Sequence, residues 1–435
     1  MTGPAIRSAS EEARLPRGPT ATTGTPDYAG RSLPNVGATL LRSRDSPASA
    51  LDSVGPGLEA SVDPTGGDRP EGPVVIFLVD GLGWLAFRRA VEGAREGRPS
   101  AVGAWGGSAR PITTVFPSTT TSALTSLSTG LPPSRHGIVG HRQYLPRFGV
   151  VADMLRMSPA ESAGTDGLAG PDFEPSELTG IPTVFERGLR TTVISRDRFE
   201  GTGFTRLLYA GAEYRPYATA SDLAFTLARV LDRTDPPEAV LVYWDELDTV
   251  QHVHGPEQYL VDLELDRIHH LLRSATGRIA PERLRSVALW LTADHGQVPA
   301  PDPQNLRIEQ HPELVRELLH APAGDRRAGY FAVRPGRSEG FREAIAPLLP
   351  AATVHRPMAA ALAAGWFGPP PFHPEIEART GTDLVLPPPP VGLTYRPPGG
   401  GVRHRPTHGA HGGLEREELW VPLLVGPLAE LAGWP

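Results

Sequence analysis

Val74-Val75-Ile76-Phe77-Leu78-Val79, followed by Asp80-Gly81, is the stretch from which the fold is read. Six consecutive apolar, largely β-branched residues have no alternation of polar and apolar faces. That pattern belongs to a strand covered on both sides, as in a parallel sheet with helices on each face. An acidic residue directly after such a strand stands at its carboxyl end, where open α/β sheets place their ligands.

Working outward, the motif repeats. Ala239 to Tyr243 reads as a second buried strand and runs into Asp245 and Asp248, with His252 and His254 close behind. Val287 to Thr292 is a third, running into Asp294-His295-Gly296. Between them helical and strand patterns alternate: helix Trp84 to Arg95, strand Ile112 to Phe116, strand Thr191 to Ser195, helix Ser221 to Leu231 and helix Pro256 to Leu272. This alternation predicts an α/β fold with a mostly parallel sheet and helices on both faces. From about Ile308 to Pro390 the rhythm changes, with expected helices at Glu309 to Leu319 and Glu339 to Leu349 around a short strand, Gly329 to Arg334. This region reads as an inserted subdomain, and 140–215 as a second insertion that would form a cap. Residues 1–72, rich in Gly, Pro, Ser and Thr, are expected to be largely disordered apart from a short strand around Ala38 to Leu41. The remainder, 73–435, is expected to form one large α/β domain carrying these insertions.

Composition narrows the chemistry. The 435 residues carry a net charge of -7, and all 42 basic residues are Arg. Nothing in that balance suggests a nucleic-acid surface. The absence of Cys excludes disulfides, thiolate metal sites and a formylglycine made from Cys. With no signal-like apolar run at the start and no run approaching the ~18–20 apolar residues of a membrane span, a cytoplasmic location without membrane contact is expected.

Three carboxylates brought to one crevice repel one another and resist desolvation unless cations neutralise them. Two divalent metals would do so. One Asp after a strand is an ordinary turn residue; three, two of them with His in reach, point to a metal site. A fourth element is Val115-Phe116-Pro117-Ser118-Thr119-Thr120-Thr121, continuing to Gly130. Ser118 reads as an N-cap, which places the threonines in the first helical turn, where unpaired N–H groups favour an anion. Taken alone, this stretch is more simply a capped Thr/Ser-rich helix start. A fifth element is Thr407-His408-Gly409-Ala410-His411-Gly412-Gly413. A Gly-flanked His is ordinarily a turn residue, and His411 gains weight because a two-metal site still needs a nitrogen ligand.

In this order the elements resemble the alkaline phosphatase superfamily, and most closely its type I phosphodiesterase/nucleotide pyrophosphatase branch. In that superfamily the nucleophile lies ten residues before the Gly that ends its helix, and counting back from Gly130 reaches Thr120. Gly130-Leu131-Pro132-Pro133-Ser134-Arg135-His136-Gly137-Ile138-Val139 is similar to the family's sequence after that helix. The resemblance implies that Asp80, Thr120, Asp294 and His295 hold one metal, and that Asp248, His252 and His411 hold another. It implies two divalent ions, zinc by expectation with manganese accommodated, and a phosphoric ester hydrolase acting on a small phosphate ester or nucleotide-like substrate through a phosphothreonine. The chain departs from the pattern where that branch has an Asn about twenty-one residues after the nucleophile. His141 stands there and would donate a hydrogen bond to the phosphoryl oxygen.

Tyr144, Tyr209, Tyr214 and Tyr217 are candidates for the aromatic slot that holds a nucleobase in that branch. Asp245, Glu246, His254, His408, His269, His270 and Arg135 are read as neighbours, structural or surface residues. The rival readings are a phosphomonoesterase or phosphonate hydrolase on the same framework, and a catalytically silent binding protein. A decayed site would have lost a ligand, whereas this one retains its set.

Overall fold

The computed structural model describes residues 12–42, 72–98, 100–168, 170, 173–396 and 406–433. Its central sheet has seven strands, ordered Ala109–Thr113, Trp420–Pro427, Ala288–Thr292, Val74–Val79, Ala239–Trp244, Thr191–Arg196 and Glu213–Tyr217. The last five run parallel, and the Trp420–Pro427 strand pairs antiparallel with both its neighbours. Every residue of Val74–Val79 is buried. This central position explains its unbroken apolar run: both faces are covered, so no polar side chain is tolerated along it. The mostly parallel α/β architecture is as expected.

The sequence places most central elements within a few residues, with informative exceptions. The strand expected at Ile112 to Phe116 is Ala109–Thr113. The helix expected from Pro256 to Leu272 is Gln258–Thr276, and a further helix that was not expected, Glu246–His254, precedes it and ends at Gly255, whose φ is 90°. The long helix expected at Glu309 to Leu319 reduces to short turns at Ile308–Gln310 and Pro312–Val315, since Pro312 cannot donate the N–H that would join them.

A second seven-stranded sheet runs Val354–Pro357, Asp383–Leu386, Ala328–Phe331, Ala323–Asp325, Arg142–Leu145, Val150–Asp153 and Ser158–Pro159. Strands from both expected insertions meet in this sheet, joined where Gly324 pairs with Arg142. This join brings Asp325 to the start of the Thr120–Thr129 helix, where the Thr119 hydroxyl donates to it. The expected 140–215 insertion is corrected at its end, because Thr191–Arg196 and Glu213–Tyr217 belong to the central sheet.

The expectation of a loose segment through residue 72 is corrected for residues 12–42. These pack on the main domain, and the strand expected at Ala38 to Leu41 lies within a helix, Leu33–Arg42. Its apolar side chains Leu33, Val36, Leu40 and Leu41 recur at helical spacing and are buried. The helix lies against Thr120–Thr129. Gly37 permits the contact, because a Cβ there would stand 2.1 Å from the Leu127 carbonyl oxygen. Among the described residues, no helix is long and apolar enough to cross a membrane.

Candidate active site and metal centre

Asp80 follows the Val74–Val79 strand, and Asp294 and His295 follow Ala288–Thr292, its neighbour in the sheet. Adjacent parallel strands deliver the two carboxylates to one point, and the three side chains are buried. His295 Nε2 lies 3.4 Å from Asp80 Oδ1 and 3.5 Å from Asp294 Oδ2. The Thr120 hydroxyl is 3.1 Å from the same Nε2. Together Asp80, Asp294 and His295 offer ligand atoms within 4.8 Å of one another.

The outer oxygens of the two carboxylates are held. Gly81 N–H and His295 N–H donate to Asp294 Oδ1 at 3.2 and 2.9 Å, and the Tyr243 hydroxyl donates to Asp80 Oδ2. The inner oxygens, Asp80 Oδ1 and Asp294 Oδ2, are buried without a hydrogen-bond partner among the described residues. Burial, followed by repulsion from Asp294 and Asp248, pushes the Asp80 carboxyl well above the usual range. Burial likewise raises Asp294, partly opposed by His295. An uncompensated buried charge costs several kcal/mol, so such a pocket either takes up protons or binds a cation.

The second ligand set faces outward. Asp248 and His252 sit one helical turn apart on Glu246–His254, with His252 Nε2 3.3 Å from Asp248 Oδ2. His411 Nε2 lies 3.9 Å from Asp248 Oδ1, and its ring stacks on His295 at 3.7 Å between centroids. Asp248, His295 and His411 form a second group with metal-ligand spacing. Burial, then the adjacent His295 and His252, hold the His411 imidazole well below its ordinary pKa and keep it neutral.

The three imidazoles share one device. His295 Nδ1 meets the Gly296 carbonyl at 3.1 Å, His252 Nδ1 the Gly409 carbonyl at 2.9 Å, and His411 Nδ1 the Ser118 carbonyl at 3.1 Å. A carbonyl only accepts, so each Nδ1 is the N–H donor and each Nε2 presents a lone pair to the cluster. Three such tautomer locks around the same carboxylates are what a metal centre requires.

Thr120 opens the helix Thr120–Thr129, every residue of which is buried. The expectation that Ser118 caps this helix is corrected: Thr119 is the N-cap, and its hydroxyl donates to Asp325 Oδ1 at 2.9 Å. Ser118 instead ties down the His411 loop, donating to the Gly413 carbonyl at 2.8 Å and accepting from Gly412 N–H at 3.2 Å. Asp325 also accepts from His141 N–H at 3.3 Å. It lies 205 positions from Thr120 and was missed in the sequence, along with Tyr243 and Gln297, whose amide donates to Asp248 Oδ1.

A cleft of 540 Å³ runs past the outer set. Its lining includes His141, Asp248, His252, Asp325 and His411, together with Arg142, Arg326 and Arg396. The His141 side chain is 35% exposed, and its Nε2 lies 3.4 Å from Asp153 Oδ2. Burial works against protonation of this imidazole, but Asp153 and Asp325 outweigh it and raise the pKa. None of the four tyrosines proposed for an aromatic slot lines this cleft; Phe331 and Tyr395 do. Tyr217 and Tyr214 instead donate to the carbonyls of Tyr243 and Arg196, at 3.0 and 2.6 Å. Tyr144 stacks on His320 with centroids 4.2 Å apart, while Tyr209 and Tyr214 border a separate depression.

The residues set aside in the sequence occupy other roles. Asp245 and Glu246 pair with Arg196 at 2.8 and 2.6 Å. His269 packs beside Trp105 with centroids 5.8 Å apart, and His254 is exposed.

Solved structures share this architecture at low sequence identity. Murine ectonucleotide pyrophosphatase/phosphodiesterase 5, in an inactive form in complex with AMP, aligns with a TM-score of 0.60 and 15% identity, covering 82% of this chain and 88% of that one. The human counterpart gives a TM-score of 0.56 at 14% identity over 81% and 87%. Phosphonoacetate hydrolase from Sinorhizobium meliloti 1021, in complex with phosphonoacetate, gives 0.55 at 19% identity over 82% and 90%. No curated protein sequence matches the chain. Residues 74–351, well over half of the chain, match the type I phosphodiesterase/nucleotide pyrophosphatase family, and the chain belongs to that family of phosphoric ester hydrolases in the alkaline phosphatase superfamily.

Proposed function

We propose that the protein is a two-metal phosphodiesterase or nucleotide pyrophosphatase using Thr120 as its nucleophile. The observation that carries this reading is the Thr120 hydroxyl, 3.1 Å from His295 Nε2, beside two buried carboxylates whose inner oxygens have no partner among the described residues. The donor set fits divalent cations: Asp80, Thr120, Asp294 and His295 would hold one, and Asp248, His252 and His411 the other. Oxygen with imidazole nitrogen suits zinc and also accommodates manganese. When bound, the two ions would lower the pKa of the Thr120 hydroxyl and balance the charge of the phosphoryl oxygens.

The chain's own residues then divide the work. Thr120 Oγ attacks phosphorus, forming an O–P bond as the bond to the leaving oxygen breaks, and water later cleaves the phosphothreonine. The first-turn N–H groups of the Thr120–Thr129 helix have no helical carbonyl to serve and face the anion. His141, held by Asp153 and Asp325, donates to a phosphoryl oxygen where developing charge is greatest. Asp325 fixes the Thr119 cap and the His141 backbone together, setting the distance between nucleophile and donor.

The AMP and phosphonoacetate in the related structures are small phosphorus oxyanions, which supports a small-molecule substrate. A phosphomonoesterase or phosphonate hydrolase is the second reading, favoured by a cationic His141 where an Asn is expected. A silent binding protein is disfavoured by the retained ligand set. The net charge of -7 offers no basic excess for a nucleic-acid partner, and a cytoplasmic location remains part of this proposal.

The test is hydrolysis of matched nitrophenyl phosphate monoester and diester by zinc-loaded protein, beside Thr120→Ala. Diester preference, falling by about 10³-fold or more in the variant, is expected. Monoester preference would move the assignment to the second reading. Binding of two metals with no turnover of either ester would keep the fold and turn the search to a different substrate.

A further inference from the structure

The cleft beside the outer ligands is lined by three arginines as well as by Asp248 and Asp325. Arg142, Arg326 and Arg396 come from three separate segments: the first strand of the cap-like sheet, the hairpin after Ala323–Asp325, and the chain following Leu393–Thr394. Arg326 donates to Asp302 Oδ1 at 2.7 Å and to the Thr407 hydroxyl, and Arg396 approaches Asp302 Oδ2 at 3.6 Å. Arg142 makes one side-chain hydrogen bond among the described residues, to the Tyr395 carbonyl at 3.1 Å. A guanidinium has five N–H donors, which leaves most of this one for a ligand. The acids nearest Arg142 are committed elsewhere: Asp153 to Arg156 at 2.8 Å and to His141, and Asp325 to Thr119 and the His141 N–H.

We propose that Arg142, Arg326 and Arg396 form an anion subsite that holds a second acidic group of the substrate, a carboxylate or a further phosphate, while the phosphoryl group lies at Thr120. This rests on the hydrolase reading and sharpens it. The substrate class becomes small phosphorus compounds bearing two separate anionic groups, with the arginines determining specificity. Burial chiefly, with Arg156 and Arg396, disfavours the charged form of Arg142, partly opposed by Asp153 and Asp325; a bound anion would add to that opposition. Guanidinium is the side chain best matched to carboxylate and phosphate, through paired N–H bonds.

The test is calorimetric binding to zinc-loaded protein of two ligand pairs, each differing by one acidic group: phosphonoacetate against methylphosphonate, and ADP against AMP. The wild type should bind the doubly anionic member of at least one pair about tenfold more tightly, as expected for one charge-assisted contact. Arg142→Gln and Arg396→Gln should each erase most of that preference, and Arg142→Lys should retain part of it. Preference in the first pair alone identifies a carboxylate, and in the second alone a phosphate. A wild type that binds all four ligands with no preference in either pair overturns the subsite and leaves the Thr120 reading intact. So does a preference that persists unchanged in both Gln variants. Failure to bind any of the four overturns both readings.

Discussion

The two ligand clusters of the site are built from the same residue types but in opposite environments. Asp80, Asp294 and His295 are buried at the ends of two central, hydrogen-bonded strands. Asp248, His252 and His411 line the open cleft, carried by a short helix and a loop near the C-terminus. Strand ends in a parallel sheet are fixed by the ladder on both sides, so the inner cluster is preformed. The outer cluster depends on contacts of the His411 loop, among them Ser118 with His411, Gly412 and Gly413, and His252 with the Gly409 carbonyl. The difference assigns different tasks. On the proposed reading, the inner set would activate Thr120 in a dry, rigid pocket, whereas the outer set would meet the arriving substrate and exchange more readily with solvent.

The largest break in that comparison should come from Asp294→Ala. Removing a buried ligand that also takes two backbone N–H bonds should abolish one equivalent of tightly bound metal and cut diester hydrolysis by about 10³-fold or more. Metal content by atomic emission, read beside kcat, checks it; two equivalents retained with near-normal turnover would remove Asp294 from the site.

His252→Gln tests the outer cluster and should do less. It replaces a half-exposed ligand locked by the Gly409 carbonyl, so outer-metal affinity should fall by about 10–100-fold. Activity should then be largely recovered by excess zinc. A loss as deep and as resistant to rescue as that of Asp294→Ala would erase the distinction between the clusters.

Gly412→Ala sharpens the same point without touching a ligand. Gly412 has φ of 117°, and a Cβ there would stand 2.5 Å from the Asp325 Cβ. The substitution should displace the His411 loop, costing about 1–3 kcal/mol and raising the zinc concentration needed for half-activity several-fold. Thermal melting of metal-free protein separates the backbone cost from the metal effect. Unchanged melting and unchanged zinc dependence would mean that the loop is freer than its contacts imply.

The two clusters also differed in how openly they stood in the sequence. Asp80 and Asp294-His295 were visible because a buried strand announces itself by composition and its carboxyl end follows directly. Asp248 and His252 stood behind another such strand and were paired by the resemblance, while His411 drew notice only because a two-metal site needed one more nitrogen ligand. Asp325 was hidden because its strand is three residues long and its partners, Thr119 and His141, belong to distant segments. Tyr243 carried no signal either, since a Tyr in an apolar strand is an ordinary core residue until its hydroxyl is seen to donate to Asp80. The Leu33–Arg42 helix was obscured by flanking Gly, Pro and Ser. Its apolar stripe is short and gains stability by docking on the Thr120 helix, a long-range contact that local composition does not encode.

The smallest effect expected is a pH dependence at the edge of the outer cluster, and its sign is fixed by geometry. Asp153 faces His141 and is itself held by Arg156, while Asp325 adds a second negative charge and Arg142 opposes them. Burial lowers the His141 pKa, but the two carboxylates raise it more, so the folded protein holds this proton more tightly than the unfolded chain. The resulting stability is fully present below the unfolded value of about 6.5 and is lost as pH rises through the folded one. Asp153 behaves oppositely: burial would raise it, but His141 and Arg156 depress it. Its share is present above about 4 and disappears only in stronger acid. The pair therefore contributes most between about pH 4 and 6.5. Because His141 is 35% exposed, solvent screening keeps the contribution to about 1 kcal/mol or less. Melting of metal-stripped wild type and His141→Gln should show a gap that is widest near pH 6 and narrows towards pH 9. A gap that stayed constant over that range would mean that the His141 charge is not coupled to folding. Asp153 would then serve only to anchor Arg156, and the outer cluster would have no protonated donor at its rim.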